Sequence, residues 1–502
     1  MKYSTSSHLL AFVVGALGLC WSGIVGADEL SNIFAATPLI HILGPSPAIS
    51  PSTDTSAVDS LMLESCDVLK DLDTYYWYYH ARSQDQERWP HGYRLCVATA
   101  PTRLGPWTKY EHNPILDQGP DDSWDHGSVY GAIVLKEGAY NIAPKTERYY
   151  MWYGSDAEGG SIGLATADHP LGPWTKYAGN PVLRDFGYPG GVIRKGNKFY
   201  MFAQHPIGKK TDQGPFEVAT ADKPEGPWTR YTGNPVMTSG DWGAWDDGGY
   251  SEARVTYHEG LFHMFYGGTK TPKLESIGYA YSRDGLEWIK YQGNPVVSSD
   301  SVPDASGLAE VHGYIEGSYV YLYHTLRYYT GTATARGVSS YRRVTPAAFD
   351  AQDSHRFSHV YDLYDTEWKT EDLGIQILTL DSHFKVAFPI LMLDSLGAGR
   401  SSRLEACLPV GLQAASTAAI TMECTYGPTP RAGVRLHVRG SYDGVHYDTE
   451  DLYTFNIESH PRQTITKTVE LRPATRFAKA FLENLDVTQE VVGIKLTVTV
   501  GN

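Results

Sequence analysis

The chain has 502 residues and a formal net charge of −15 at neutral pH. That length allows two or three domains with sizeable cores, and the acidic balance argues against a nucleic-acid partner, which needs a basic footprint. Aromatic residues make up 12%, with 35 Tyr beside 50 Gly, a mix that suits an all-β protein rich in tight turns and sugar-facing surface.

The first 27 residues read as a secretory signal. Lys2 supplies a positive charge, Leu9 to Leu19 an apolar core, and Val25-Gly26-Ala27 small residues before Asp28-Glu29. The apolar run is too short for a transmembrane anchor. No later stretch could span a membrane, so the mature chain is expected to be secreted or periplasmic. Residues 28–57 form an irregular leader with Pro45, Pro47 and Pro51. This N-terminal segment is also the expected source of the strand that closes the ring described next.

Residues 58–345 carry a repeat. Gly105-Pro106-Trp107-Thr108-Lys109-Tyr110 leads to Asn113-Pro114, Gly172-Pro173-Trp174-Thr175-Lys176-Tyr177 to Asn180-Pro181, and Gly226-Pro227-Trp228-Thr229-Arg230-Tyr231 to Asn234-Pro235. A looser copy, Trp288-Ile289-Lys290-Tyr291, leads to Asn294-Pro295. A spacing of about 50–60 residues points to a propeller or a similar array. Each unit holds aromatic and β-branched runs such as Phe199-Tyr200-Met201-Phe202, a second strand, and turns made by Gly-Pro and Asn-Pro. That is about four strands, the size of one blade. A fifth set appears at Tyr319 to Tyr323 without the closing turn. The expectation is a five-bladed β-propeller in which the repeated Trp, Tyr and Asn-Pro are scaffold.

A polar linker is expected over residues 346–372. Beyond it, Val434, Leu436 and Val438 alternate with polar residues, as do Ile494, Leu496, Val498 and Val500. Period-two alternation marks half-buried antiparallel strands, so residues 373–502 read as a C-terminal β-sandwich. Cys66 and Cys96 fall on strands too far apart to bridge and read as buried thiols. Cys407 and Cys424 are the disulfide candidates, and no spacing fits a zinc motif.

In a propeller the innermost strands line a central funnel, and function gathers at one mouth. Stepping back 14 residues from the second-strand positions Tyr79, Tyr266 and His324 reaches Ser65, Glu252 and Glu310, and matching Trp124-Asp125 to Trp245-Asp246 adds Gly131. The strand period then pairs Ser65 with Asp67, Glu252 with Arg254 and Glu310 with His312 on the funnel side. Carboxylates there are costly unless paired or used. The upstream loops add Asp125, His126, Asp246 and Asp247, and Trp124, Trp245 and Tyr250 are candidate sugar platforms. Each alone also reads as core or as an ion pair of the scaffold.

Ser251-Glu252-Ala253-Arg254-Val255, followed by Gly260-Leu261-Phe262-His263-Met264-Phe265-Tyr266-Gly267-Gly268, resembles the inner-strand motif of five-bladed glycoside hydrolases, families 43 and 32 and relatives such as 117 and 130. The resemblance implies that Glu252 is the general acid, and that His312 lies where family 43 holds a central cation or water, with a structural Ca2+ as the expected ion and no cofactor otherwise required. It also implies an Asp as base where this chain has Ser65, which leaves that role to Asp67 or Glu64. Glycosidic hydrolysis needs a proton donor and a carboxylate on opposite faces of the sugar. Asp67 shares the face of Ser65 and is the expected partner, whereas a one-residue bulge would turn Glu64 inward instead. The expectation is an exported glycoside hydrolase acting on a poly- or oligosaccharide. The alternatives are a carbohydrate-binding propeller without catalysis and a phosphorylase like those of family 130.

Overall fold

The computed structural model describes residues 39–329 and 368–502, apart from 91, 137–147, 156–159, 205–215, 241–243, 247, 248, 271–273, 304, 306 and 473. The expected signal at 1–27, most of the linker and Asp247 lie outside these residues. The described chain is almost wholly β, and no helix in it is long and apolar enough to cross a membrane.

The repeat folds as the aromatic runs dictate. Each unit places an inner strand first: Met62–Asp71, Tyr130–Lys136, Tyr188–Lys195, Tyr250–His258 and Gly307–Glu316. Each then adds an antiparallel second and third strand and a short outer strand such as Thr108–Lys109. The inner strands touch in a closed ring, first to second and onward, with the fifth returning to the first. The fourth and fifth sheets are also joined directly, Ala253 pairing in parallel with Val311. These are the relations of a β-propeller.

Apolar burial is divided among the gaps between sheets. Tyr78 and Val97 pack on Val134 and Met151, Trp152 and Leu164 on Val192 and Met201, Phe202 and Val218 on Val255 and Phe262, and Phe265 and Ile277 on Leu308 and Leu322. The fifth gap joins Tyr323 and Ile375 to Trp77, in a cluster that runs on into Phe388, Val434 and Leu496 of the C-terminal region.

The repeated polar residues tie each sheet together. Lys109, Lys176 and Lys290 reach back to Asp59, Asp125 and Asp246 at 2.6–2.7 Å. Asn113, Asn180, Asn234 and Asn294 each accept from and donate to the backbone of one third-strand residue, Val97, Leu164, Val218 and Tyr279. The Asn side chain thus stands in for a missing strand neighbour just before the proline that could not supply the N–H.

Trp368–Thr379 pairs along Tyr319–Tyr329, and Ile40–Leu43 forms the outer strand beyond it. The boundary expected at 372–373 is therefore displaced. Leu373, Ile375 and Ile377 belong to the fifth sheet, because period-two alternation looks alike in either kind of sheet. After Lys385, two four-stranded sheets follow, one holding Lys385–Leu396, Val491–Gly501, Thr417–Tyr426 and Thr464–Leu471, the other Val410–Gly411, Phe477–Asn484, Val434–Ser441 and Tyr453–Ile457. The disulfide expected between Cys407 and Cys424 is not made; both are free buried thiols, as are Cys66 and Cys96. The Cys407 sulfur instead accepts the Ala480 N–H at 3.3 Å.

Asp125 is buried and accepts from Ser123, Tyr153 and Lys176. Its replacement by Ala leaves three donors without their acceptor, and should lower stability by about 2–3 kcal/mol as a fall in the urea midpoint at unchanged slope. A midpoint equal to wild type would show that the repeated ion pair is ornamental.

The seam closed by the N-terminal strand contains a half-buried histidine, His41, and a fully buried one, His324. His41 Nε2 meets Gln376 at 2.9 Å, and Gln376 in turn lies 3.3 Å from His324 Nε2. Burial lowers His41 and pulls His324 down to about 4. A histidine depressed in the fold is protonated first in the unfolded chain, so the stability it contributes is complete above about pH 6.5 and is lost as pH falls toward 4. His324→Gln should recover about 1–2 kcal/mol of the stability that wild type loses between pH 7 and 5, read from denaturant titrations at both pH values. Equal losses in the two proteins would refute the assignment.

Candidate active site

Every inner strand of the ring is bulged at the same level. Register shifts fall between Ser65 and Asp67, Tyr130 and Ile133, Pro189 and Gly191, Ser251 and Ala253, and Ala309 and His312. Bulges re-aim side chains. In the second and third sheets the turn is taken by Gly131 at φ +61° and Gly191 at φ +139°. In the fourth and fifth it is taken by Glu252 at φ +31° and Glu310 at φ +51°. A non-glycine residue there costs on the order of 1–3 kcal/mol and collects at functional sites.

These two glutamates and Glu64 meet at one mouth of the ring. Glu64 sits opposite His80 in the first sheet, and its Oε2 is in direct contact with His80 Nε2, while Tyr93 donates to its Oε1 at 2.6 Å. The Cys66 sulfur lies 3.2 Å from His80 Nδ1. Glu310 accepts from the Thr325 hydroxyl at 2.6 Å, and its other oxygen lies 4.0 Å from His80 Nε2. The Glu252 backbone N–H donates to the Gln204 side-chain Oε1 at 3.2 Å.

Arg327, at the end of the second strand of the fifth sheet, gathers the carboxylates. It donates to Glu275 at 2.8 Å and to Glu371 at 3.1 Å, and the same Nη2 stands 3.6 Å from Glu310 and 4.0 Å from Glu252. With Glu64, five buried carboxyl groups share one guanidinium and one imidazole. They cannot all be ionised. Burial, then Glu64 and Glu252, push Glu310 well above the carboxylate range, and burial, then Glu64, does the same to Glu371. Burial acts to raise Glu64 too, but His80 and Arg327 outweigh it and hold Glu64 well below that range. Burial acts to lower His80, whereas Cys66 and Glu64 prevail and bring it to about 9. The site therefore holds an anionic Glu64 beside a proton-bearing Glu310.

Several expected site residues lie elsewhere. Asp67 is turned away by the bulge: its Oδ2 accepts the Val134 N–H of the second sheet at 2.8 Å, and its Oδ1 meets His312 at 2.8 Å and the Val68 N–H at 3.0 Å. Arg254 crosses the axis as a strut, donating to the carbonyls of Cys66 at 2.9 Å and Pro189 at 2.7 Å. Asp125 and Asp246 are the scaffold partners of Lys176 and Lys290. His126 is exposed against the Ser123 carbonyl. Trp124 and Trp245 lie on Tyr153 and Tyr266 and over Gly163 and Gly278, and Tyr250 is stacked on Phe216 in the core. Around His312 the Asp67 oxygens are taken and a guanidinium fills the axis. That does not fit Ca2+, which takes about six to eight oxygens.

Sequence reading missed His80, Arg327, Glu275 and Glu371. His80 and Arg327 each follow an aromatic run on a second strand, one or a few positions beyond the residues used for register, and Gln204 ends the matching strand of the third sheet. Polar residues closing those runs were the available signal.

No protein-family model matches the chain, and no curated protein matches it. Its fold resembles those of glycoside hydrolases among solved structures. A structure of a BT0996 RGII complex is 14% identical over 70% of this protein and 94% of the other, with a TM-score of 0.48. Zg3597, a family 117 glycoside hydrolase of the marine bacterium Zobellia galactanivorans, is 14% identical over 69% and 92%, with a TM-score of 0.42. CoXyl43, a family 43 β-xylosidase/α-arabinofuranosidase from a compost metagenome, is 13% identical over 67% and 94%, with a TM-score of 0.40. At such identities and scores none of them carries a function across to this chain.

If the left-handed backbone at residue 252 is imposed by the bulge, glycine should suit it better than alanine. Glu252→Gly is expected to be more stable than Glu252→Ala by about 1 kcal/mol, measured as the difference between two denaturation curves. The reverse order would mean that the backbone is relaxed there.

Proposed function

We propose that this chain is an exported glycoside hydrolase built on a five-bladed propeller with a C-terminal β-sandwich, acting on a poly- or oligosaccharide. The observation that carries the reading is the convergence of Glu64 and Glu252 on one mouth, with Glu310 and Arg327 between them. Both lie on inner strands, both keep a small solvent-facing surface, and Glu310 is more deeply buried. Glu252 is assigned as the donor that protonates the leaving oxygen. Glu64, held by Tyr93 and His80, is the carboxylate that activates water on the other face of the sugar. Glu310, proton-bearing and next to Glu252, is the reservoir from which Glu252 is reprotonated after each transfer. The secreted or periplasmic location and the 1–27 signal belong to the same proposal.

One observation favours a carbohydrate-binding propeller without catalysis. Ser65, at the position where the resembling families carry the base, spends its hydroxyl on Trp77 Nε1 at 3.1 Å. A phosphorylase finds less support, since Arg254 is committed to backbone carbonyls and His126 lies away from the carboxylates.

Glu252→Gln and Glu64→Gln should each lower turnover by a factor on the order of 10² to 10⁴, in a screen of plant and algal oligosaccharides followed by kinetics on the one cleaved. Asp67→Asn should instead act on stability, leaving turnover within about tenfold. Turnover within about threefold of wild type in both glutamine variants would remove the acid/base assignment, and binding without any product would favour the non-catalytic reading.

A further inference from the structure

Glu64, His80 and Glu310 each hold one donor atom inward and have the other engaged behind. Tyr93 takes Glu64 Oε1, Thr325 takes Glu310 Oε2, and Cys66 sits on His80 Nδ1. The inward atoms are Glu64 Oε2 and His80 Nε2, in contact with one another in the metal-free chain, and a Glu310 oxygen 3.6 Å from Arg327, and all three lie within 4.8 Å of one another. They stand on three adjacent strands of the ring, Met62–Asp71, Thr74–Arg82 and Gly307–Glu316, so the geometry does not depend on a loop. Outer partners that fix the orientation of each inner donor are the usual support of a bound metal.

A second observation points the same way. Glu371 is fully buried, its Oε1 is held by Arg327, and its Oε2 meets no hydrogen-bond donor while facing Glu64. In the metal-free chain the proton on Glu371 holds these two carboxyl groups together, a positive charge that a cation on Glu64 would replace.

We propose that Glu64, His80 and Glu310 form a site for a divalent cation of the zinc class. One imidazole and two carboxylates make a donor set that zinc accepts, with three protein ligands as in its open sites. Calcium wants only oxygen and more of it, and magnesium keeps most of its water. Donors around zinc stand about 3.3 Å apart, so closing the set onto an ion asks for shifts on the order of 1 Å. This site is distinct from the axial position at His312. On the reading above, in which Glu64 activates water, an ion here takes its lone pair and blocks hydrolysis. That consequence rests on the hydrolase reading, but the binding does not.

The test is zinc uptake by the whole chain, dialysed against ZnCl2, desalted and measured by inductively coupled plasma mass spectrometry, with a chromophoric chelator for affinity. Wild type should retain about one Zn2+ per chain. His80→Gln and Glu310→Gln should each weaken binding about tenfold or more, while Asp67→Asn keeps it. No retained zinc in wild type, or retention unchanged in both variants, overturns the site; the latter would place the ion elsewhere, as at His437 with Asp451 and Glu483. Should the variants fail to fold, wild-type melting decides. Zn2+ should raise the midpoint through its binding to the folded state where equal Mg2+ and Ca2+ do not, and no selective rise defeats the proposal. Absence of hydrolase activity on every substrate in the metal-free, chelator-treated chain, when that same chain still takes up one Zn2+, would sink the hydrolase reading and leave this one standing.

Discussion

The buried guanidinium of Arg327 is the interaction on which the candidate site depends. Four carboxyl groups from the inner and third strands of the fourth and fifth sheets are arranged around it, and a fifth, Glu64, feels its charge from the first sheet. Without a cation there, several kcal/mol of desolvation per ion would be uncompensated. Even with it the charges do not balance, and the excess is absorbed by protons on Glu310 and Glu371. A proton-bearing carboxyl next to Glu252, the assigned donor, keeps a proton at hand for acid catalysis. The electrostatic problem and the proposed chemistry are thus the same feature.

Backbone geometry makes that crowding attainable. The bulges turn side chains at a common level of the ring toward one mouth, and in the fourth and fifth sheets glutamates accept a left-handed conformation that glycine takes in the second and third. The strain is local, while the restraint is global. Each of the first four sheets is pinned by an Asp–Lys pair or an Asn that mimics backbone, and four of the gaps between sheets have their own apolar clusters. A scaffold so divided can hold the inner strands at fixed separations while the loops at the mouth vary.

The axis below the site is closed by polar struts instead of an apolar plug. Arg254 joins the fourth sheet to the first and third, and the Asp67–His312 pair joins the first to the fifth. These residues looked catalytic in sequence because they are polar and inward-facing. Their partners tie them into the ring, Arg254 to backbone carbonyls and Asp67 to His312. The N-terminal strand completes the same ring from outside, through a seam that contains the half-buried His41 and the fully buried His324.

Some of this was legible in the chain itself. Recurrence of Gly-Pro-Trp and Asn-Pro marks four of the units and their order, since those turns depend on local dihedral restrictions that a residue carries wherever it sits. The period-two runs determine strands for the same reason, and Glu252 and Glu310 follow from aligning them. What the sequence could not contain is which residue a bulge leaves over. The extra residue in the first inner strand, Cys66, reverses the faces on either side, brings Glu64 to the mouth and sends Asp67 to the neighbouring sheet. That choice depends on hydrogen bonds to strands many residues away, such as Ser65 N–H to the Thr325 hydroxyl at 2.8 Å. Likewise Glu371, read as linker, becomes part of the site only because the third strand of the last sheet is paired on both edges, one of them by the chain's own beginning. Local preference sets which segments are strands, but only the closed ring decides which side chains face one another.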